Sequence, residues 1–112
     1  MSQRASMILV YISCRDTEEA SLISTVLLKK RLAACIQVLP HGESSFLWPP
    51  GKSSIDTQQE SLVLIKTIDT KWDELCKEIK AHHSYENPEI IGIPVPFVRT
   101  EYLSWLRKEL SL

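Results

Sequence analysis

The run Met7–Ile12, which reads MILVYI, decides the fold of this chain. Its uninterrupted apolar character and its content of β-forming residues predict a strand that is buried on both faces. Such a strand lies inside a sheet and needs a covering layer on each side. The elements on either side of this run therefore decide the architecture.

The residues after this run predict a first helix over about 17–31. Asp16, with Glu19 three residues later, resembles a capping box, and an acidic first turn suits the positive end of the helix dipole. The basic residues at 29–31 provide the positive charge that favours a helix C-terminus.

Two further helices are predicted later in the chain. The pair Asp69-Thr70 is the N-cap signal of the second helix, and Thr100 is the expected cap of a final helix that continues to Leu110. Apolar residues of the second helix recur at i, i+3, i+4 and i+7, and His83 takes the next position on that face. The apolar residues of this face are Trp72, Leu75, Cys76 and Ile79.

The segments between the helices predict three more strands. The second strand covers 34–39 and resumes at 44–48 after a bend, and the third lies within 56–68. The turn signal at 49–52 joins these two strands into a long hairpin. The fourth strand covers 90–95, where Pro94 predicts an edge or a strand end.

The order β-α-β-β-α-β-α predicts an α+β fold, the ferredoxin-like β-α-β-β-α-β sandwich with a long β2-β3 hairpin and a C-terminal helix. We expect one domain over residues 1–112, with its core at about 7–110. Right-handed crossovers place the first two helices on one sheet face. The final helix covers only part of the other face, so we expect another subunit to bury the rest in a cyclic oligomer.

The composition excludes several classes of protein. The net charge is −1, and the scattered Lys and Arg residues form no basic footprint for nucleic acid or an anionic membrane. The three cysteines are odd in number and form no C-x-x-C, which argues against a disulfide framework and a structural zinc site. The apolar runs are too short for a signal-peptide core or a membrane span. We therefore expect reduced thiols and a cytoplasmic location.

Several short motifs occur in order along nearly the whole chain, from about Met7 to Leu110. They are Arg31-Leu32-Ala33-Ala34-Cys35, Trp48 near Gly51-Lys52, Glu60, Lys66-Thr67, His83-x-Tyr85-Glu86-x-Pro88-Glu89 and Tyr102-x-x-Trp105. Together they resemble the CutA divalent-cation tolerance family. The resemblance implies a ferredoxin-like subunit, a compact homotrimer whose hairpins extend the neighbours' sheets, binding of copper or other divalent cations, and a link to metal tolerance. It implies no reaction, so we expect no enzyme.

This chain also departs from the pattern it resembles. Ser84 stands where a proline usually follows the histidine, so that turn is less rigid here. Some bacterial members carry a cysteine in the first strand that is counted as a copper ligand. That position corresponds to Ile12 here, and Cys14 lies two residues further on. The resemblance therefore argues against a ligand role for Cys14.

The predicted metal ligands are His82 and His83, because imidazole suits copper and zinc. Adjacent residues of a helix point about 100° apart, so one shared ion requires that the helix has ended, or ligands from another subunit. The alternative is structural. His82 would then be exposed, while His83 would pack on the core and bond to a helix-end carbonyl.

The predicted ligand cleft consists of Glu60, Lys66, Tyr85 and Glu86, with Trp48. If the third strand and the turn after the second helix meet at a subunit border, these residues would line a polar cleft. The cleft would hold a small anion or perform acid–base chemistry. The alternative is a network of ion pairs and hydrogen bonds that holds the trimer together.

The cysteines are expected to differ in reactivity. Cys35 and Cys76 lie in apolar patterns and are expected to be buried. Cys14 lies at a strand end just before a helix start, which favours a thiolate, and is the expected reactive thiol.

Three functions remain open at this point. The leading one is a trimeric copper- or divalent-cation-binding protein of metal tolerance. The second is a small-molecule sensor or signalling scaffold, built like the P-II proteins, with its ligand in the intersubunit cleft. The third is a small hydrolase or isomerase that uses His83 and Glu86. The sequence contains no phosphate-binding glycine loop or nucleophile elbow, which counts against ATP-driven and acyl-transfer chemistry.

Overall fold

The fold is described from a computed structural model, which covers residues 5–51 and 53–111. Its elements are β1 (Met7–Cys14), α1 (Thr17–Lys29), β2 (Cys35–Leu47), β3 (Ile55–Ile68), α2 (Trp72–His82), β4 (Ile90–Pro94) and α3 (Thr100–Leu110). A short 3₁₀ turn, Asp69–Lys71, precedes α2. The motif residue Lys52 and the first four residues of the predicted domain lie outside the described residues.

The four strands form one antiparallel sheet in the order β2-β3-β1-β4. This is the ferredoxin-like order that the alternation of helices and strands predicts. β1 lies inside the sheet, with Val10 opposite Ile65 of β3 on one side and Gly92 of β4 on the other. The prediction that the first apolar run forms a strand inside the sheet is therefore confirmed, but Leu9 and Tyr11 are only partly buried, so the prediction of burial on both faces is wrong.

Helices α1 and α2 pack on one face of this sheet and form the main core with it. Alternate residues of the two central strands point into this core, because side chains along a strand alternate between the two faces. They meet the apolar stripes of both helices. The buried residues include Val10, Ile12, Cys14, Val63 and Ile65 from the strands and Ile23, Leu27, Leu75 and Ile79 from the helices.

The opposite face is covered only at one end. There, α3 buries Leu106 and Leu110 against Met7 and Ile68. The strand register places seven apolar or aromatic residues on the remainder of this face. They are Leu9, Tyr11, Leu39, Leu62, Leu64, Ile91 and Ile93, and we call them the open sheet face. Leu39, Ile91 and Ile93 are each exposed by 45–46%.

The long hairpin of β2 and β3 forms as predicted, and it makes the molecule 51 Å long but only 27 Å wide. β2 is a single strand, with an irregular register between Leu39 and Gly42 where the sequence predicts an interruption. His41 has a positive φ of 66° at this point. The bend is therefore real, but pairing with β3 continues through it.

Two of the three predicted helix caps are wrong. The Asp16 side chain accepts a hydrogen bond from Glu19 N at 2.9 Å and caps α1, as predicted. Asp69 instead begins the 3₁₀ turn, and its carboxylate accepts a hydrogen bond from Ser6 N. Thr100 is the first residue of α3 rather than its cap, which is Arg99. A tertiary contact with the N-terminal segment thus replaces the local cap at Asp69.

Within residues 5–51 and 53–111, no helix is both long enough and apolar enough to cross a membrane.

Candidate functional site

The two adjacent histidines lie on either side of the end of α2. The helix ends at His82, and His83 has an extended backbone with φ −85° and ψ 141°. His82 is exposed, and its Nδ1 lies 3.0 Å from the carbonyl of Glu78. The helix has therefore ended between the two histidines, which meets one condition for a shared ion, but His82 is exposed while the His83 side chain is buried. Their role as metal ligands stays a prediction.

The side chain of His83 is fully buried. Its Nε2 donates a hydrogen bond to the carbonyl of Ser13 at 2.8 Å. Because a carbonyl can only accept, Nε2 carries the proton in this arrangement, and Nδ1 is free to accept a hydrogen bond from Tyr85 N at 3.1 Å. His83 thus packs in the interior as the structural alternative predicts. Its carbonyl partner, however, belongs to β1 and not to a helix end.

Glu19 is a buried carboxylate beside this histidine, and its side chain was not among the predicted site residues. It is 5% exposed and accepts hydrogen bonds from Arg15 N at 2.9 Å and Ser84 N at 2.8 Å. Its Oε1 lies 3.7 Å from His83 Nδ1. Burial alone would raise the pKa of Glu19, but the hydrogen bonds from Ser84 and Arg15 and the nearby His83 hold this pKa below its ordinary value. The capping-box pattern was the one sequence signal for this side chain.

Cys14 completes this group, and the prediction that it is the reactive thiol is wrong. Its side chain lies in the core, and burial, followed by the nearby charge of Glu19, raises the pKa of the thiol to about 12. Cys35 and Cys76 are the more accessible cysteines, against expectation. The start of α1 cannot activate the Cys14 thiol, because β1 continues through this residue and directs it into the core.

Ligand-capable atoms of Cys14, Glu19 and His83 all lie within 4.8 Å of one another. We call these three residues the thiol–carboxylate–imidazole cluster. A surface pocket of about 410 Å³ adjoins it, and Glu19 and His83 form part of the pocket wall together with His82 and Glu18. The cluster combines sulfur, oxygen and nitrogen donors of the kind that bind zinc or copper.

The predicted cleft is formed only in part. The hydroxyl of Tyr85 donates a hydrogen bond to the buried Glu60 at 2.6 Å, and Ser44 donates a second one to the same carboxylate. Burial and the contact with Glu60 raise the pKa of Tyr85. The ring of Tyr85 also packs on His83, with centroids 4.8 Å apart. A polar network therefore joins the hairpin to the turn after α2.

The other three predicted cleft residues lie elsewhere in this subunit. Lys66 is six residues further along β3 than Glu60, about 20 Å away for an extended strand, and its Nζ lies 5.7 Å from the ring of Tyr102. Glu86 is exposed, and Trp48, just after β2, is 60% exposed. The subunit alone does not form the predicted cleft. Nor does it pair His83 with Glu86 as an acid–base couple, because the carboxylate beside His83 is Glu19.

The fold and site together define a class of protein. It is a ferredoxin-like α+β chain with an extended hairpin, an incompletely covered sheet and, beside the end of α2, a cluster of side chains whose donor atoms could bind a metal. The sequence profile of the CutA1 divalent ion tolerance protein family matches residues 8–109. The chain therefore belongs to the CutA1 divalent ion tolerance family.

Individual relatives agree with this assignment. The chain is 40% identical over 103 residues to the divalent-cation tolerance protein CutA of Pyrococcus horikoshii, covering 92% of this chain and 97% of that one. It is 32% identical over 100 residues to the chloroplastic protein CutA 1 of Oryza sativa, covering 89% of this chain but only 55% of that one. The crystal structure of CutA from Xylella fastidiosa superposes with a TM-score of 0.88 at 35% identity, covering 94% and 98% of the two chains.

Proposed function

We propose that this protein is a homotrimer that binds copper or another divalent cation and contributes to metal tolerance in the cytoplasm. Membership of the divalent ion tolerance family supports the link to metals. The observation that carries the binding proposal is the pocket at the end of α2. Two imidazoles, His82 and His83, and two carboxylates, Glu18 and Glu19, lie on its wall. Imidazole nitrogens suit copper and zinc, and the carboxylates add negative charge that attracts a cation.

The trimer rests on the open sheet face. A contiguous apolar surface of this kind marks a site of association in a protein of this size. Ile91 and Ile93 lie on β4, at one edge of the sheet, and Leu39 on β2, at the other. The surface therefore extends across the whole sheet, so that two neighbouring copies can contact it at once.

A metal titration tests the binding proposal. We expect the wild-type protein to bind Cu²⁺ or Zn²⁺ in isothermal titration calorimetry, and the His82→Ala/His83→Ala protein to lose this binding. His41→Asn is the matched control, because His41 is an exposed histidine away from the pocket, and asparagine tolerates its positive φ of 66°. Unchanged binding in the double variant would contradict the proposed site, and a wild-type protein that binds neither ion would contradict the proposal as a whole.

A second function, a sensor of small molecules like the P-II proteins, is favoured by the network of Tyr85, Glu60 and Ser44. This network lies where the hairpin leaves the sheet, and an adjacent subunit would bring further polar groups to it. Screening a metabolite panel for shifts of the melting temperature would test this function. We expect a true ligand to raise the melting temperature of the wild-type protein more than that of a Tyr85→Phe protein that stays trimeric, because Tyr85 belongs to this network. Equal shifts in both proteins would contradict a ligand site at the network.

A further inference from the structure

We propose that the thiol–carboxylate–imidazole cluster is a three-ligand site for a divalent cation of the zinc type, bound by Cys14 Sγ, a Glu19 carboxylate oxygen and His83 Nδ1. This inference rests on the proposed function and assigns its ligands. It replaces the pair of adjacent histidines by one histidine, one carboxylate and a core thiol.

The distances fit one ion. Zinc binds nitrogen and oxygen at about 2.0–2.2 Å and sulfur at about 2.3 Å, so two ligands of a tetrahedral site lie roughly 3.4 Å apart. Glu19 Oε1 and His83 Nδ1 are already 3.7 Å apart. All three donor atoms lie within 4.8 Å of one another, so side-chain adjustments of about an ångström would bring them to an ion at their centre.

The charges also fit a cation. The hydrogen bond from His83 Nε2 to Ser13 leaves the Nδ1 lone pair on the side of Glu19. Glu19 is buried as a carboxylate that accepts two backbone hydrogen bonds, and among the described residues the one basic side chain within 4 Å of it is His83, which is neutral in this arrangement. Buried charge is stable only when it is compensated. A divalent ion would neutralise the carboxylate together with the thiolate of Cys14.

Ion binding has a definite chemical cost here. Cys14 binds a metal only as a thiolate, so its proton must leave to the solvent as the metal–sulfur bond forms. Tyr85 N must also give up its hydrogen bond to His83 Nδ1. The ion would enter and the proton would leave through the adjoining pocket of about 410 Å³, whose wall includes Glu19 and His83. Binding should therefore strengthen as the pH rises.

Zinc and cobalt alone, added to the full chain with its thiols kept reduced, test this ligand set. We expect Co²⁺ to give a thiolate-to-cobalt charge-transfer absorption in the wild-type protein, and Zn²⁺ to abolish it by displacement. Cys14→Ser should weaken Zn²⁺ binding by about tenfold or more, equivalent to roughly 1.4 kcal/mol. Cys76→Ser is the matched control, because Cys76 is not part of the cluster, and it should leave both signals unchanged.

The outcomes separate this inference from the proposed function. Divalent-cation binding that survives Cys14→Ser but is lost in His82→Ala would overturn this ligand set and keep the metal function. A wild-type protein that binds neither Zn²⁺ nor Co²⁺ would overturn this inference, and one that also fails to bind Cu²⁺ would contradict the proposed function as well. The cobalt spectrum is read on the wild-type protein, so a folding defect of Cys14→Ser, detectable by circular dichroism, cannot produce or hide its result. A spectrum without a thiolate band would overturn the inference on its own.

Discussion

At the scale of single residues, Glu19 connects three parts of the chain. Its two carboxylate oxygens accept hydrogen bonds from Arg15 N, just before α1, and from Ser84 N, just after α2. The same side chain lies beside His83, whose Nε2 bonds to the carbonyl of Ser13 at the end of β1. One carboxylate therefore holds together the ends of a strand and two helices.

We expect Glu19→Gln to lower the free energy of unfolding at pH 7 by about 2 kcal/mol. The glutamine amide is uncharged and has only one acceptor oxygen, so one of the two backbone N–H groups loses its partner. The fold lowers the pKa of Glu19, so its contribution is complete above the unfolded value and is lost as the pH falls through the folded value. The difference in unfolding free energy between wild type and variant should thus narrow as the pH falls below the ordinary range of a glutamate carboxyl, in denaturant unfolding. The exposed Glu18→Gln is the control, and a pH-independent difference would contradict this account.

At the scale of elements, Gly92 determines how closely β4 approaches the start of α2. A Cβ atom at Gly92 would lie 2.7 Å from Cζ3 of Trp72, closer than non-bonded atoms can approach. Gly92 is opposite Val10 in the sheet, and Trp72 packs against the core beneath it. The glycine therefore provides the space in which the indole packs closely against the edge strand.

Replacing Gly92 by alanine should cost about 1–3 kcal/mol of stability, the usual range for overpacking. The cost should shrink in a Trp72→Leu background, because the smaller side chain removes the close contact. Guanidinium chloride unfolding of the two single variants and the double variant, at one protein concentration, measures the energetic coupling between the two positions. Additive effects of the two changes would show that the contact with Trp72 is not the cause.

At the scale of the whole molecule, the sheet has one well-covered and one poorly covered face. Helices α1 and α2 bury the first, while α3 covers the second only around Leu106 and Leu110. A domain that is stable as a monomer would cover its apolar sheet face, whereas this chain leaves the open sheet face uncovered. Its burial by two further copies is the step that the proposed trimer supplies.

Placing a charge on this face should disrupt assembly. We expect Ile91→Glu to raise the concentration at which the trimer dissociates by about 100-fold or more, since an unpaired buried charge costs about 3 kcal/mol or more. Leu28→Glu is the matched control, because Leu28 is 42% exposed on α1 and Ile91 is 46% exposed on the sheet. Light scattering after size exclusion measures the mass, and equal masses for both variants would exclude the open face as the interface.

Much of the architecture could be predicted because its signals are local. The apolar run of β1, the Asp16 cap of α1 and the turn between β2 and β3 depend on residues close in sequence, and all three are confirmed. Asp69 shows the limit of this reasoning. Its side chain bonds to Ser6, 63 positions away, instead of capping a helix. A contact over that distance leaves no local pattern to recognise.

The sequence by itself determined the order of the strands and helices, because strand alternation and helical spacing are properties of neighbouring residues. Only the tertiary structure decided which polar side chains meet. It directed the Cys14 thiol into the core and set Glu19 beside His83, but kept Lys66 away from Glu60. The physical reason is that burial and hydrogen bonding between distant segments depend on how the elements pack, and packing is a property of the whole fold.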